Sequence, residues 1–281
     1  MTQYAHFLLT RFNLHTPEIV LSDAWYEQRF GLFEQFCLPS IKAQTNQSFR
    51  WLLFADAHTP RQYRSRIEHY QTYDNVQVHW LAGYDPTQMI RAVHSLLSDS
   101  LTHLITTTLD NDDALARDFV ARVQEEFAGQ SFELINLLHG LRYDLPSQKL
   151  YICDLESNPF ISLIEQIGAG GQIRSISGCL PHSTIKQRFS QIRNVDNAAP
   201  LWLQVVHGRN VAPTGTWGRA RARLDLMDAL FDLDYDAPPE SVSDLALRVQ
   251  HGRARLERGL IGALSGEQKR RILQLLKGQR R

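Results

Sequence analysis

Three carboxylates fall within four residues at Asp110-Asn111-Asp112-Asp113. Ionised and unpaired, they repel one another strongly at that spacing. The relief that suits hard oxygen donors is a divalent cation, Mg or Mn, which also bridges phosphate oxygens. A cation held there would neutralise charge developing on a departing diphosphate. The competing reading is structural, because Asp is favoured in the first turn of a helix and the cluster would cap one beginning near Leu115. Position separates the two. The run Thr102-His-Leu-Ile-Thr-Thr-Thr-Leu109 ends directly at Asp110 and has the β-branched content of a buried strand. In α/β sheets, ligands bind outside the carboxyl ends of the strands.

The elements that must position this cluster follow from the periodicity. The runs His6–Phe12, Arg50–Ala55, Val76–Leu81 and Thr102–Leu109 are short, nearly continuous apolar stretches, the pattern of strands buried on both faces. Helical patterns separate them. The first starts at a cap on Asp23, carries Trp25, Phe30, Phe33, Phe36 and Cys37 on one stripe, is broken or restarted by Pro39, and runs on to Gln44. The second covers Pro60–Tyr73, and the third Pro86–Leu97. A fourth carries Leu115, Phe119, Val123 and Phe127, spaced by four. Strands alternating with helices predict an α/β fold with a mostly parallel sheet flanked by helices. After Phe132 the rhythm changes to strand-like pieces at Phe132–Leu137, Leu141–Asp144 and Lys149–Cys153, then a brief helix over Pro159–Glu165 and a loop at Gly168–Gly171. A last apolar run, Leu201–Val206, leads into His207-Gly-Arg-Asn210. Residues 1–217 read as the α/β domain and 218–281 as a C-terminal helical extension, with Pro238 and Pro239 marking a break before its tail.

Composition narrows the classes. The chain has 281 residues, 43% of them hydrophobic, enough to bury a full core without disulfides or a structural metal. Its formal net charge is zero, so nothing points to a nucleic-acid partner. Cys37, Cys153 and Cys179 are odd in number and widely spaced, which fits reduced thiols and the cytoplasm. The amino terminus lacks the order of a signal peptide, and no apolar run approaches the roughly 18 residues that span a bilayer.

Four segments carry a family resemblance. Thr108-Leu-Asp-Asn-Asp-Asp-Ala114 resembles the Asp-x-Asp-Asp motif of GT-A fold glycosyltransferases, and Leu38-Pro-Ser-Ile-Lys-Ala-Gln-Thr45 followed by Phe49–Asp56 resembles their early helix and second strand. Together with Thr10-Arg-Phe-Asn13 and Trp202-Leu-Gln-Val-Val-His-Gly-Arg-Asn210, these segments resemble a rhamnosyltransferase family of bacteria over about Phe7 to Asn210. The resemblance implies a nucleotide-sugar donor, a glycan or lipid-linked acceptor and a divalent cation, Mn or Mg. It implies that Asp56 contacts the base, Asp110 the ribose or sugar, and Asp112 the metal, with Asp113 on the metal or the donor. It further implies that Arg11 meets the nucleotide or its phosphates and that His207 completes the metal shell. The chemistry agrees, since a neutral imidazole can join carboxylates around Mn and Arg209 can hold a diphosphate bidentately. Each has a bland alternative: Asp56 as a helix cap, Arg11 in a structural ion pair, His207 as a satisfied core histidine.

An inverting transferase also needs a base for the acceptor hydroxyl. The Glu-Asp pair expected late in the domain is missing, leaving Asp154, Glu156 and His182 as candidates. Asp154 and Glu156 flank Leu155 and would share one face of a strand. Two rival readings remain. One is a phosphohydrolase with an aspartyl nucleophile, which also places Asp-x-Asp after an apolar strand. The other is a sugar-nucleotide or cation binding module without catalysis. The tail from Glu240 holds ten Lys and Arg against four Asp and Glu, with Leu256, Leu260, Ile261 and Leu264 on a helical face. It suits peripheral contact with an anionic membrane, packing in a homo-oligomer, or a plain solvated face.

Overall fold

Four apolar runs become adjacent parallel strands, β1 (Tyr4–Arg11), β2 (Arg50–Asp56), β3 (Val76–Leu81) and β4 (His103–Thr108), in the computed structural model, which describes residues 3–14, 21–210 and 220–235. Period-two burial explains why they need helices on both sides. Phe7 and Leu9 of β1 and Leu52 and Phe54 of β2 point into one core, while Leu8, Trp51 and Leu53 point into the other. The helices that cover these faces include α1 (Asp23–Leu32), α2 (Leu38–Lys42), α3 (Arg61–His69) and α4 (Pro86–His94). Ser22, rather than the expected Asp23, caps α1 by accepting from the Trp25 backbone N–H. Pro39 does not stop the helical run. A π-helical turn over Phe33–Cys37 absorbs the missing donor, and α2 starts with that proline in its first turn.

The chain crosses from this sheet to a second one through the acidic segment, which lies between β4 and the two-residue strand β5 (Ala114–Leu115). The helix expected from Leu115 therefore begins later, as α5 (Phe119–Glu125). Then follow β6 (Phe132–Leu137), β7 (His139–Asp144), β8 (Lys149–Asp154), β9 (Ser162–Gln166), α6 (His182–Arg188), β10 (Ile192–Val195) and β11 (Trp202–Val206). The first sheet has the order β10-β6-β9-β4-β1-β2-β3 and is parallel except at β9. The sequence reading of a helix over Pro159–Glu165 is overturned here. Phe160 to Ile164 are all buried, Ser162 to Glu165 pair with β4 on one side and β6 on the other, and a run apolar except at Ser162 carries no period that separates strand from helix.

The second sheet runs β12-β8-β7-β11-β5, closed at one edge by β12 (Arg221–Ala222). The expected 217/218 boundary lies outside the described residues, yet residues 220–235 belong to the α/β body. Arg221 and Ala222 pair with Tyr151 and Leu150, and helix α7 (Asp225–Leu230) buries Met227 and sends Phe231 into the main core. Arg117 caps the end of that helix, donating to the carbonyls of Asp228, Ala229 and Phe231. The basic tail from Glu240, with Leu256, Leu260, Ile261 and Leu264, lies outside the described residues. Among the described residues no helix is long and apolar enough to cross a membrane.

Candidate functional site

The acidic loop is held by groups the family-like segments supply. Ser40 Oγ donates to the Cys37 carbonyl and accepts from the Leu115 N–H. Gln44 donates to the carbonyls of Ser40 and Ala116 and accepts from the Val120 N–H. Thr45 ties to Arg117 and Asp118. The Leu-Pro-Ser…Gln-Thr segment is thus a buckle that fixes the chain leaving Asp113, and its polar residues are explained by the backbone groups they satisfy. On the entering side, Asn111 Nδ2 donates to the Phe12 carbonyl, so Asn111 clamps the loop to the end of β1 as well as spacing its neighbours.

Strand register then brings the charged groups together. Leu9 of β1 lies opposite Thr108 of β4, so Arg11 and Asp110 emerge side by side and form a 3.2 Å ion pair, both partly open to solvent. Arg11 also stacks over Tyr84, 5.4 Å from its ring centroid. β5 pairs antiparallel with β11, Leu203 facing Ala114, which carries the end of β11 back along the acidic loop. His207 Nε2 consequently hydrogen-bonds Asp112 Oδ2 at 2.7 Å, and Asp113 Oδ1 accepts from the Val205 N–H at 2.8 Å. Asn210 holds the turn after His207 by accepting from its N–H and donating to the Val205 carbonyl. Gly208 sits between them with φ of 82°, a conformation that favours glycine.

Arg29 of α1 completes this arrangement and was missed by the sequence reading. Its Nη1 lies 2.8 Å from Asp112 Oδ2 and 2.8 Å from Asn111 Oδ1. No sequence spacing signals a partner more than eighty residues away. The only local hint is Trp25 one turn earlier, whose ring the guanidinium covers at 5.1 Å. The two neighbouring carboxyls diverge in response. Burial alone would raise Asp112, but the charge of Arg29 and the hydrogen bond from His207 hold it at about 2. Asp113 is pushed well above the usual carboxylate range by burial and by the charges of Asp112 and Asp110.

Asp56 stands at the end of β2, nearly fully buried, where it accepts from the His58 backbone N–H in a local turn. Its own N–H donates to Asn13 Oδ1, and Asn13 Nδ2 donates to Tyr26 and Thr59. Beside this network opens a cleft of about 370 Å³ lined by Tyr26, Asp56, His58, Thr59, Ala82 and Gly83. Asp56 thus organises a local turn and also lines this cleft. The other candidates disperse. Asp154 bonds His139 Nδ1, whose Nε2 bonds Asp196. Glu156 is exposed and pairs with Lys186. Arg209 is exposed on the turn after His207. His182 is lowered by burial and lies near enough to Asp110 and Arg11 to be biased by both charges.

The donor set for a divalent ion can be tested on these contacts. Asp112 and His207 are the expected ligands, yet one Asp112 oxygen already meets both Arg29 and His207. A metal on His207 Nε2 would leave the ring proton on Nδ1, and that atom is buried without a hydrogen-bond partner. Metal-bound imidazoles ordinarily donate that proton to a carboxylate or carbonyl. Among the described residues no three His, Cys, Asp or Glu side chains converge as a metal site. The metal shell expected from the sequence is therefore not what these residues form; they form a closed triad of Arg29, Asp112 and His207.

A family model described as "Putative rhamnosyl transferase" matches residues 15–219, which is 205 of the 281 residues. No curated protein matches the chain. Among solved structures, S. aureus TarS 1-349 gives a TM-score of 0.42 at 11% identity, covering 72% of this chain and 60% of that one. The present chain thus spans about three fifths of that structure. Its complex with UDP-GlcNAc gives 0.44 at 10% identity over 77% and 63%. A structure from Desulfovibrio desulfuricans described as a "putative nucleotide-diphospho-sugar transferase" gives 0.34 at 8% identity over 73% and 80%. Likenesses this distant carry no argument about the site.

Proposed function

This chain belongs to that rhamnosyl transferase family, and from that premise we propose that it is a glycosyltransferase of GT-A type that moves a sugar from a nucleotide-sugar donor to an acceptor hydroxyl. The donor we assign is dTDP-L-rhamnose, and the acceptor a saccharide or lipid-linked glycan. The observation that carries the reading is the convergence of Arg11, Asp56 and Asp110 at the carboxyl ends of three adjacent parallel strands, beside the cleft at Asp56.

In this reading the base enters the cleft between Tyr26 and Gly83 and meets the Asp56 carboxylate. Asp110, partly exposed, takes the ribose or sugar hydroxyls, and the Arg11 guanidinium meets the diphosphate it is positioned to fork. Arg209, exposed just past His207, is a second diphosphate contact. Asp113 orients the loop through Val205. Among the three base candidates we retain His182, because burial favours its neutral imidazole, able to accept a proton, within the electrostatic reach of Asp110. Asp154 and Glu156 are engaged with His139 and Lys186. The phosphohydrolase reading needs the second Asp of Asp-x-Asp as an acid, and Asp112 is locked between Arg29 and His207. The three buried cysteine thiols suit a reducing cytoplasm, with contact to a membrane or a second subunit assigned to the basic tail.

A thermal-shift screen of dTDP-, UDP- and GDP-sugars tests the assignment. We expect a dTDP-sugar to stabilise the parent and not an Asp110→Ala variant. If no nucleotide sugar stabilises the parent, the transferase reading is wrong.

A further inference from the structure

The acidic loop holds three carboxylates, and the fold brings Arg29 from α1 against one of them, Asp112. Arg29 is nearly nine-tenths buried, its Nη1 reaching Asp112 and Asn111 at 2.8 Å each while its flat face lies over Trp25. Asn111 is itself clamped to the Phe12 carbonyl, so Nη1 is held between two neighbouring residues of one anchored loop. His207 approaches the same Asp112 oxygen from the opposite strand. Charge compensation at this point is thus built from protein. A planar guanidinium stays charged at any physiological pH and is less strongly hydrated than an ammonium, so it suits a partly dry site better than lysine.

We propose that Arg29 is the resident cation of this site, supplying in fixed form the positive charge the acidic loop requires, so that the chain binds its nucleotide donor without a divalent metal. The inference rests on the donor reading above. Arg29 acts through Asp112 and the loop, as a positioning residue. With Asp112 neutralised by a fixed partner, the loop presents a single uncompensated carboxylate less to an incoming diphosphate, and like-charge repulsion of the donor falls accordingly.

Calorimetric titration of the full chain with dTDP and with UDP, in EDTA and again in Mn, separates the outcomes. The expected result is one nucleotide bound with affinities within about twofold in the two buffers. Arg29→Gln is expected to bind it at least about tenfold more weakly in EDTA. Arg29→Lys keeps the charge but loses the planar contact with Trp25, so it is expected to bind in EDTA severalfold more weakly than the parent, and it serves if the glutamine variant does not fold. Binding by the parent only in Mn overturns the proposal and leaves the donor reading intact. Equal binding in EDTA by Arg29→Gln and parent also overturns it. Binding of neither nucleotide in either buffer defeats the donor reading and the proposal with it.

Discussion

Asp112 and His207 stand ninety-five positions apart and share a 2.7 Å hydrogen bond. They meet because β11, entering from the second sheet, pairs antiparallel with β5 directly after the acidic loop. Both side chains are almost sealed from water, and Arg29 closes the third side. Removing one member leaves buried charge or polarity behind, which is what makes the triad accessible to mutation.

Asp112→Ala strands a guanidinium and an imidazole in a buried site. The expected loss is about 3 kcal/mol or more of unfolding free energy, the usual result of breaking a buried pair from one side. Urea unfolding of the variant against the parent measures it. A change under about 1 kcal/mol would mean the triad is open to solvent.

Arg11→Ala should behave in the opposite way. The Arg11–Asp110 pair is more than a third exposed on both partners, and such pairs contribute about 0–1 kcal/mol to stability. Donor affinity, however, should fall by about tenfold or more if the guanidinium meets the diphosphate. Unfolding and nucleotide titration run on the same sample give both numbers, and loss of stability without loss of affinity would contradict the assigned role.

Asn13→Ala removes the acceptor for the Asp56 N–H and the donor to Tyr26 and Thr59, all within the buried floor of the cleft. Unsatisfied buried groups cost about 1–3 kcal/mol each. We expect the variant to lose stability on that scale and to bind nucleotide more weakly, with Asp56 no longer fixed. Unchanged affinity in a folded variant would move the base site elsewhere.

Gly140→Ala tests how the second sheet delivers His207. A Cβ at Gly140 runs into the indole of Trp202, which is fully buried against Phe160 and hydrogen-bonded to the Leu137 carbonyl. Overpacking of this kind costs about 1–3 kcal/mol, and the displaced Trp202 is the first residue of β11. The variant should lose stability and donor binding together, read by thermal unfolding with and without nucleotide.

His6 predicts a pH effect remote from the site. It is fully buried against Thr107 and Gln124, and burial lowers it to about 3. The unfolded chain takes up this proton below about 6.5, while the folded chain does not until about 3. The folded state is therefore undisturbed above that upper value and loses stability as the pH falls below it, by up to about 1.4 kcal/mol per unit. Unfolding at pH 7.5 and at pH 5 should differ by about 2 kcal/mol in the parent and by less in His6→Gln. An equal difference in both proteins would assign the effect to other groups.

Much of the fold is legible in the residues. The runs around Leu8, Leu53 and Ile105 carry their own signal, because strands buried on both faces are apolar along their length and bounded by polar turns. The end of β4 at Asp110 is equally plain. The strand that starts at Ser162 is not legible, because burial on both sides of an antiparallel strand erases the period that would mark it. Residues 220–235 look like the start of a polar appendage, since a two-residue edge strand and a six-residue helix are too short to show amphipathic pattern.

The sequence by itself determined the strand–helix alternation, the parallel sheet and the placing of three carboxylates at a strand end, because those depend on local composition and period. It also determined that His207 follows an apolar strand. Which cation answers those carboxylates was decided only in three dimensions. The α1 helix turns Arg29 toward Asn111 and Asp112, and the β5–β11 bridge fixes His207 on the same oxygen. Charge pairing acts through distance in space, and residues separated by eighty or ninety positions acquire that distance only when the strand edges that carry them have been set in register.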